Sequence, residues 1–220
     1  MLAIFDLDET LIRGDSSQLF TEFLRAEAID ASPNSEARGR AFMRAYTNGD
    51  LDLQNYMEYS LAPIRGWQRS QVEALIDRFV REVIPPRVLT TARERVAWHK
   101  TQGHDVLIIS ATGEHLVSPI ARHLGIDDDI GVQVEWQGDN LKGTIGTRRP
   151  FREGKVAALK EWVSARRAVP EKVWFYSDSH NDLPLLRFVD YPVAVNPDPI
   201  LERYARRKGW RVLIDEVARA

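Results

Sequence analysis

Ile4-Phe5-Asp6-Leu7-Asp8-Glu9-Thr10-Leu11 is the stretch on which the reading of this 220-residue chain turns. Leu2 to Phe5 is a short apolar run of the kind shown by a strand buried on both faces of a parallel sheet. It ends in two carboxylates two residues apart. Strand side chains alternate, so Asp6 and Asp8 share a direction if the extended backbone continues past Phe5. Two acids at the end of a buried strand repel unless a cation or a shared proton offsets them. Asp-rich strand ends also make turns and helix caps, so the rest of the chain has to supply the partners.

The composition is that of an ordinary globule, 44% hydrophobic and 28% charged, with a net charge of −2. That balance gives no overall attraction to nucleic acid or to an anionic membrane. Short basic runs such as Arg148-Arg149 and Arg206-Arg207-Lys208 read as solvated helix ends. The chain has no cysteine, which excludes disulfides, thiolate metal sites and a cysteine nucleophile. No apolar run approaches the ~18 residues of a membrane span, and Asp6 and Asp8 come too early for a secretory signal. The expectation is a cytoplasmic protein without a membrane anchor.

Outward from the first strand, the periodicity is helical. Leu19, Phe20, Phe23 and Leu24 form one stripe, Ala37, Ala41, Phe42, Ala45 and Tyr46 a second, and Leu53, Tyr56, Met57 and Leu61 a third. Val72, Leu75, Ile76, Phe79, Val80 and Val83 form the cleanest stripe, stopped by Pro85-Pro86. Residues 14–86 therefore read as an all-helical block inserted after the first strand, with 1–13 and 87–220 forming the rest of the fold. In the core a helix over about Thr90 to Gln102 precedes a buried strand, Asp105 to Ser110. A helix from Gly113 to Leu124 follows, then a β-hairpin over Ile130 to Ile145, a helix opened by Lys155, and strands at Val173–Tyr176, Val193–Val195 and Arg211–Ile214. Alternation of strand and helix predicts an α/β fold with a doubly wound, Rossmann-like parallel sheet.

Sites in open α/β sheets form outside the carboxyl ends of the strands. Besides Asp6 and Asp8, the second strand ends in Ser110-Ala111-Thr112-Gly113, leading directly into a helix whose free amides favour an anion. The third ends in Ser177-Asp178-Ser179-His180-Asn181-Asp182. Ser110, Asp178 and Asp182 also read as helix-cap residues. Four carboxylates at one sheet edge, with oxygen as the only donor type, suit Mg²⁺. Lys155, one of six lysines, starts a helix and can damp that charge, or it is a solvated surface residue.

Taken in order, these motifs resemble the haloacid dehalogenase superfamily, in the branch like phosphoserine phosphatase. Asp6-Leu-Asp8-Glu-Thr10 fits its D-x-D-x-T motif, Ser110 the hydroxyl residue ending the second strand, Lys155 the family lysine, and Ser177-Asp178 through Asn181-Asp182 the closing acidic motif. The resemblance implies Asp6 as the nucleophile that becomes an aspartyl phosphate and Asp8 as general acid and then base. It implies Mg²⁺ held by Asp6, the Asp8 backbone carbonyl and Asp178, with Asp182 supporting, and phosphate held by Thr10, Ser110, Ala111 and Lys155. An Asp at position 8 points to phosphatases and phosphomutases, since members that cleave carbon–halogen bonds lack an acid there.

The implied substrate is a small phosphorylated metabolite. Asp15 stands where phosphoserine phosphatases carry a Glu for the substrate amine, and it also reads as a helix start. Arg40, Arg44 and Arg65 are candidates for a substrate carboxylate, Asn181 is a further substrate candidate, and His180 either faces solvent or reaches the site. The run from Ser177 through Asp198 resembles bacterial histidinol-phosphate phosphatases, so histidinol phosphate is the first expectation and phosphoserine the second. A phosphotransferase or phosphomutase and a lipid-head-group phosphatase are the alternatives within the superfamily.

Overall fold

The computed structural model describes residues 1–30, 32, 35–166 and 169–215. Strand β1 (Leu2–Phe5) is followed by helices α1 (Ser16–Ala26), α2 (Ser35–Asn48), α3 (Leu53–Leu61) and α4 (Arg69–Val83). Then come α5 (Thr90–Thr101), β2 (Asp105–Gly113), α6 (Glu114–His123), β3 (Asp128–Val132), and a hairpin of β4 (Val134–Gln137) and β5 (Asn140–Ile145). The chain closes with α7 (Glu153–Ser164), β6 (Val173–Ser177), α8 (Leu183–Leu186), β7 (Tyr191–Val195), α9 (Pro199–Lys208) and β8 (Arg211–Leu213). The main sheet has six parallel strands in the order β3-β2-β1-β6-β7-β8. With the hairpin set aside, this is the doubly wound order, and the winding direction reverses between β1 and β6.

Alternation along each strand divides the core in two. Ala3, Phe5, Val106, Ile108, Tyr176, Val193 and Val195 belong to one buried cluster with residues of α5, α6 and the inserted helices, including Phe20, Met57 and Phe79. Leu2, Ile4, Leu107, Ile109, Phe175 and Ala194 belong to the other, beneath Leu159 of α7, Leu185 and Leu186 of α8, and Leu201 of α9. Helices α1, α3 and α4 of the insertion thus share an apolar core with the sheet. Their two ends meet: Arg13 N donates to Arg87 O at 2.8 Å and Leu89 N to Leu11 O at 3.0 Å. The hairpin reaches over to the insertion, where Gly66 N donates to Leu141 O and Leu141 N to Trp67 O.

Three expectations shift. Residues Asp128–Val132 are a sixth strand of the main sheet, and the hairpin is confined to 134–145. The acidic run Asp127-Asp128-Asp129 hid this strand, because an edge strand needs only Ile130 and Val132 to pack inward. The strand containing Ser110 continues to Gly113, so Ser110 lies four residues before the α6 terminus and not in its first turn. Helix α7 starts two residues before Lys155. Among the described residues, no helix is long and apolar enough to cross a membrane.

Candidate active site

Register builds the site. Phe5 pairs with Ile108 on one side and Tyr176 on the other, so Asp6, Ser110 and Asp178 leave three adjacent strands at nearly one level. Asp6 N still donates to Tyr176 O at 2.9 Å, the last rung of the ladder. The chain then turns through Glu9, at φ 53°, and both Leu11 N and Ile12 N return to Leu7 O.

Asp6 is 5% exposed and Lys155 1% exposed. Lys155 Nζ lies 3.0 Å from Asp6 Oδ1 and 2.7 Å from Asp182 Oδ2. Asp182 Oδ2 also accepts from Ser177 Oγ at 2.7 Å, and Asp6 Oδ1 accepts from Leu7 N at 2.8 Å. Gly154, just before Lys155, has its Cα face against the Arg149 carbonyl oxygen, so a side chain there would clash with the turn that leads into α7. Burial pulls the Lys155 ammonium down, but the Asp182 and Asp6 charges outweigh it, and its pKa lies above the ordinary lysine value. The pair is an ammonium between two carboxylates.

Asp8 is held differently. Its Oδ1 accepts from Ser16 N at 2.7 Å, and its Oδ2 accepts from Thr112 Oγ1 at 2.8 Å. Burial raises its pKa against the pull of these donors. Asp6 and Asp178 are raised well above the carboxylate range, by burial first and then by neighbouring carboxylates; Lys155 offsets part of this. Carboxylates whose charge is disfavoured by burial and mutual repulsion are a place where a cation lowers the energy. Among the described residues, no three His, Cys, Asp or Glu side chains converge as a metal cage. Asp6 and Asp178 at adjacent strand ends are an all-oxygen donor pair, of the kind that suits a hard ion which takes one or two carboxylates and retains water.

Asp6, Asp8, Ser110, Ala111 and Asp178 form the floor of a cleft of about 410 Å³, and Asp15, Glu9, Glu22, Phe42, Tyr46, Tyr56 and Arg87 contribute to its walls. Asp15 caps α1, accepting from Gln18 N at 2.7 Å, and lines the cleft as well. Burial and the nearby Asp8 charge raise its pKa to about 7.

The remaining candidates lie elsewhere. Thr10 is 1% exposed, and its hydroxyl donates to Asp178 Oδ1 at 3.3 Å, so it braces that carboxylate from outside the cleft. Arg44 lines an adjoining groove with Arg40, whose guanidinium pairs with Glu36. Arg65 packs along the hairpin beside Gly143. Asn181 is buried and donates its Nδ2 to Tyr46 O at 3.0 Å. His180 turns to Asp198, with its Nδ1 2.8 Å from Oδ2. Sequence reasoning missed Thr112, Arg87 and Tyr46. Thr112 carried a signal as a second hydroxyl at the β2 end; Arg87, in the turn after two prolines, carried none.

A buried carboxylate beside a buried lysine, a second carboxylate gripped by hydroxyl and amide, and a third across the switch point stand together at the carboxyl edge of a doubly wound sheet. The family model of haloacid dehalogenase-like hydrolases matches residues 3–187, and the chain belongs to that family, as a phosphatase of the phosphoserine-phosphatase-like branch. It is similar to the histidinol-phosphatase of Neisseria meningitidis serogroup C (strain 8013), 39% identical over 217 residues that cover 96% of this chain and 97% of that one. It is 29% identical over 221 residues to a phosphoserine phosphatase of Mycobacterium tuberculosis, covering 99% of this chain and 71% of that one. A solved structure of a protein of unknown function from Bordetella pertussis Tohama I aligns with a TM-score of 0.86 at 33% identity, over 96% of this chain and 97% of that one.

Proposed function

We propose that this chain is a Mg²⁺-dependent phosphomonoesterase that releases phosphate from histidinol phosphate through an aspartyl-phosphate intermediate. The observation that carries the substrate is the cleft wall beyond the carboxylates. Asp15, Glu9 and Glu22 stand along it with the rings of Phe42, Tyr46 and Tyr56, a lining that suits a primary ammonium and a flat imidazole. Arg87 is the one cation among the described cleft-lining residues, and the Glu9 charge lies close enough to interact with it. The likeness to a histidinol-phosphatase over nearly the whole chain supports the same reading. Phosphoserine is the second substrate, supported by the relative of that name; its carboxylate would have only Arg87 to meet.

In this reading Asp6 attacks phosphorus, forming an O–P bond as the ester O–P bond breaks. Asp8, whose raised pKa suits a proton donor, gives its proton to the leaving alcohol. It then takes a proton from the water that cleaves the aspartyl phosphate and frees inorganic phosphate and Asp6. Lys155 favours the ionised form of Asp6 against the cost of burial and counters the charge of the incoming phosphoryl group. Asp6, Asp178 and the main-chain carbonyl of Asp8 would hold Mg²⁺, which supplies positive charge to the phosphoryl oxygens. Asp182 supports this set by fixing Lys155. Ser110 and Ala111 face the transferred group from the β2 end. Residues 14–86 act as a cap over a core of 1–13 and 87–220, and the protein works in the cytoplasm.

The test is phosphate release with MgCl₂ from histidinol phosphate, O-phosphoserine, glycerol phosphate and p-nitrophenyl phosphate. A kcat/KM for histidinol phosphate at least about tenfold above phosphoserine is expected. The reverse order overturns the substrate, and no release from any of the four overturns the hydrolase.

A further inference from the structure

One residue of the insertion is held through both its side chain and its main chain by the loop that carries Asp178 and Asp182. The Tyr46 hydroxyl donates to Ser179 Oγ at 3.2 Å, and its backbone carbonyl accepts from Asn181 Nδ2 at 3.0 Å. Ser179 and Asn181 are 3% and 2% exposed, so water does not readily replace these bonds. The loop is itself cross-tied: Ser179 N donates to Ser177 Oγ at 3.1 Å and Asn181 N to Ser179 Oγ at 3.2 Å. Ser177 Oγ in turn donates to Asp182, the partner of Lys155. Three residues further on, the α2 end comes against the α7 start. A Cβ on Gly49 would meet Arg152 Nη2 at 2.9 Å and Asn181 Oδ1 at 3.7 Å, and Arg152 adopts φ 54° there. The Tyr46 ring meanwhile forms part of the cleft wall.

We propose that Tyr46 is a positioning residue, a clamp through which the seating of α2 over the cleft sets the position of the Asp178–Asp182 loop. Helix α2 cannot lift from the cleft without breaking both bonds, and the loop cannot shift without losing both. Occupancy of the cleft and geometry of the acidic loop are therefore one equilibrium. The cleft-wall ring reports on the substrate, and the hydroxyl and carbonyl pass that state to the carboxylate loop. This inference rests on the phosphatase reading for its kinetic consequence but not for its structural one.

The experiment compares wild type with Tyr46→Phe, which keeps the ring and removes one bond, and with Asn181→Ala, which removes the other. Amide hydrogen exchange without substrate or metal should speed up together in segments 42–49 and 178–182 in both variants, and stay unchanged in α9. In steady state with p-nitrophenyl phosphate, loss of one buried hydrogen bond should raise KM by about 2- to 10-fold. The MgCl₂ half-saturation should rise with it, although neither variant alters a proposed metal ligand. Because both variants open one clamp, the double variant should cost less than the product of the single effects. Exchange that rises in 42–49 alone, or a raised KM with unmoved MgCl₂ half-saturation, would reduce Tyr46 to a cleft wall and overturn the proposal. Wild type that releases no phosphate would instead overturn the proposed function and leave the exchange result standing.

Discussion

Lys155 Nζ stands 3.0 Å from Asp6 Oδ1, and both side chains are shut away from solvent. The contact joins the third residue of α7 to the first residue after β1, and Asp182 completes it from behind. Removing one partner of a buried charge group leaves the others uncompensated, which costs about 3–5 kcal/mol. Lys155→Met should therefore lose activity and also unfold at lower urea concentration. A variant with an unchanged urea midpoint would show that the ammonium does not stabilise the fold.

Asp6→Asn should act in the opposite sense on stability. Burial first, and then the Asp182 and Asp8 charges, hold the Asp6 pKa well above that of an unfolded aspartate. A carboxyl raised in the folded state opposes folding at any pH where it would ionise, and the penalty fades as pH falls. The amide should abolish phosphate release while melting at or above the wild-type temperature in metal-free buffer near pH 8. Retained turnover would remove Asp6 as nucleophile.

Asp15 supplies the pH dependence. Its pKa is raised to about 7 from an ordinary 3.8, so between these values the folded chain binds a proton that the unfolded chain releases. Stability should fall as pH rises from about 4 to 7, with the full penalty present above 7. Asp15→Asn should flatten that slope in urea titrations. The KM for an amine-bearing phosphoester should improve as Asp15 ionises, while that for p-nitrophenyl phosphate should not; parallel profiles would remove Asp15 from amine recognition.

Thr112 fixes one oxygen of Asp8 while Ser16 N fixes the other. Thr112→Val keeps the shape and removes the donor. It should lower kcat by about 10- to 100-fold, part of the ~10²–10⁴ that a placed acid–base contributes, with a smaller change in KM. An unaltered kcat would mean that Ser16 alone orients Asp8.

Metal addition should stabilise the chain, by about 2.7 kcal/mol at a hundred times Kd, seen as a rise in melting temperature on adding MgCl₂. EDTA should remove both the rise and the turnover. Asp178→Ala should lose most of the MgCl₂ shift, and a shift of wild-type size in that variant would take Asp178 out of the metal set.

The local features are legible in the residues themselves. Apolar runs ending in Asp6, Ser110 and Asp178 mark three central strands, and the stripes from Leu19 to Val83 mark the inserted helices, because strand and helix periodicities are written in neighbouring residues. The edge strand Asp128–Val132 escaped because it opens on two acids and carries only Ile130 and Val132 as an apolar signal. Which groups meet depends on long-range packing. Asp182 faces Lys155 across 27 residues of chain, and Thr112 reaches Asp8 across 104; no local spacing encodes either contact. The helical stripe made Arg44 as eligible as any exposed cation, but the way α2 sits at the cleft turned Arg44 into a side groove, and the turn after Pro85-Pro86 brought Arg87 into the cleft. The same packing turned Asn181 from the substrate space to the Tyr46 carbonyl. Asp6 and Asp8 were legible as a pair of acids. Their difference was not, because it comes from what surrounds each: a buried ammonium for one, a hydroxyl and an amide for the other.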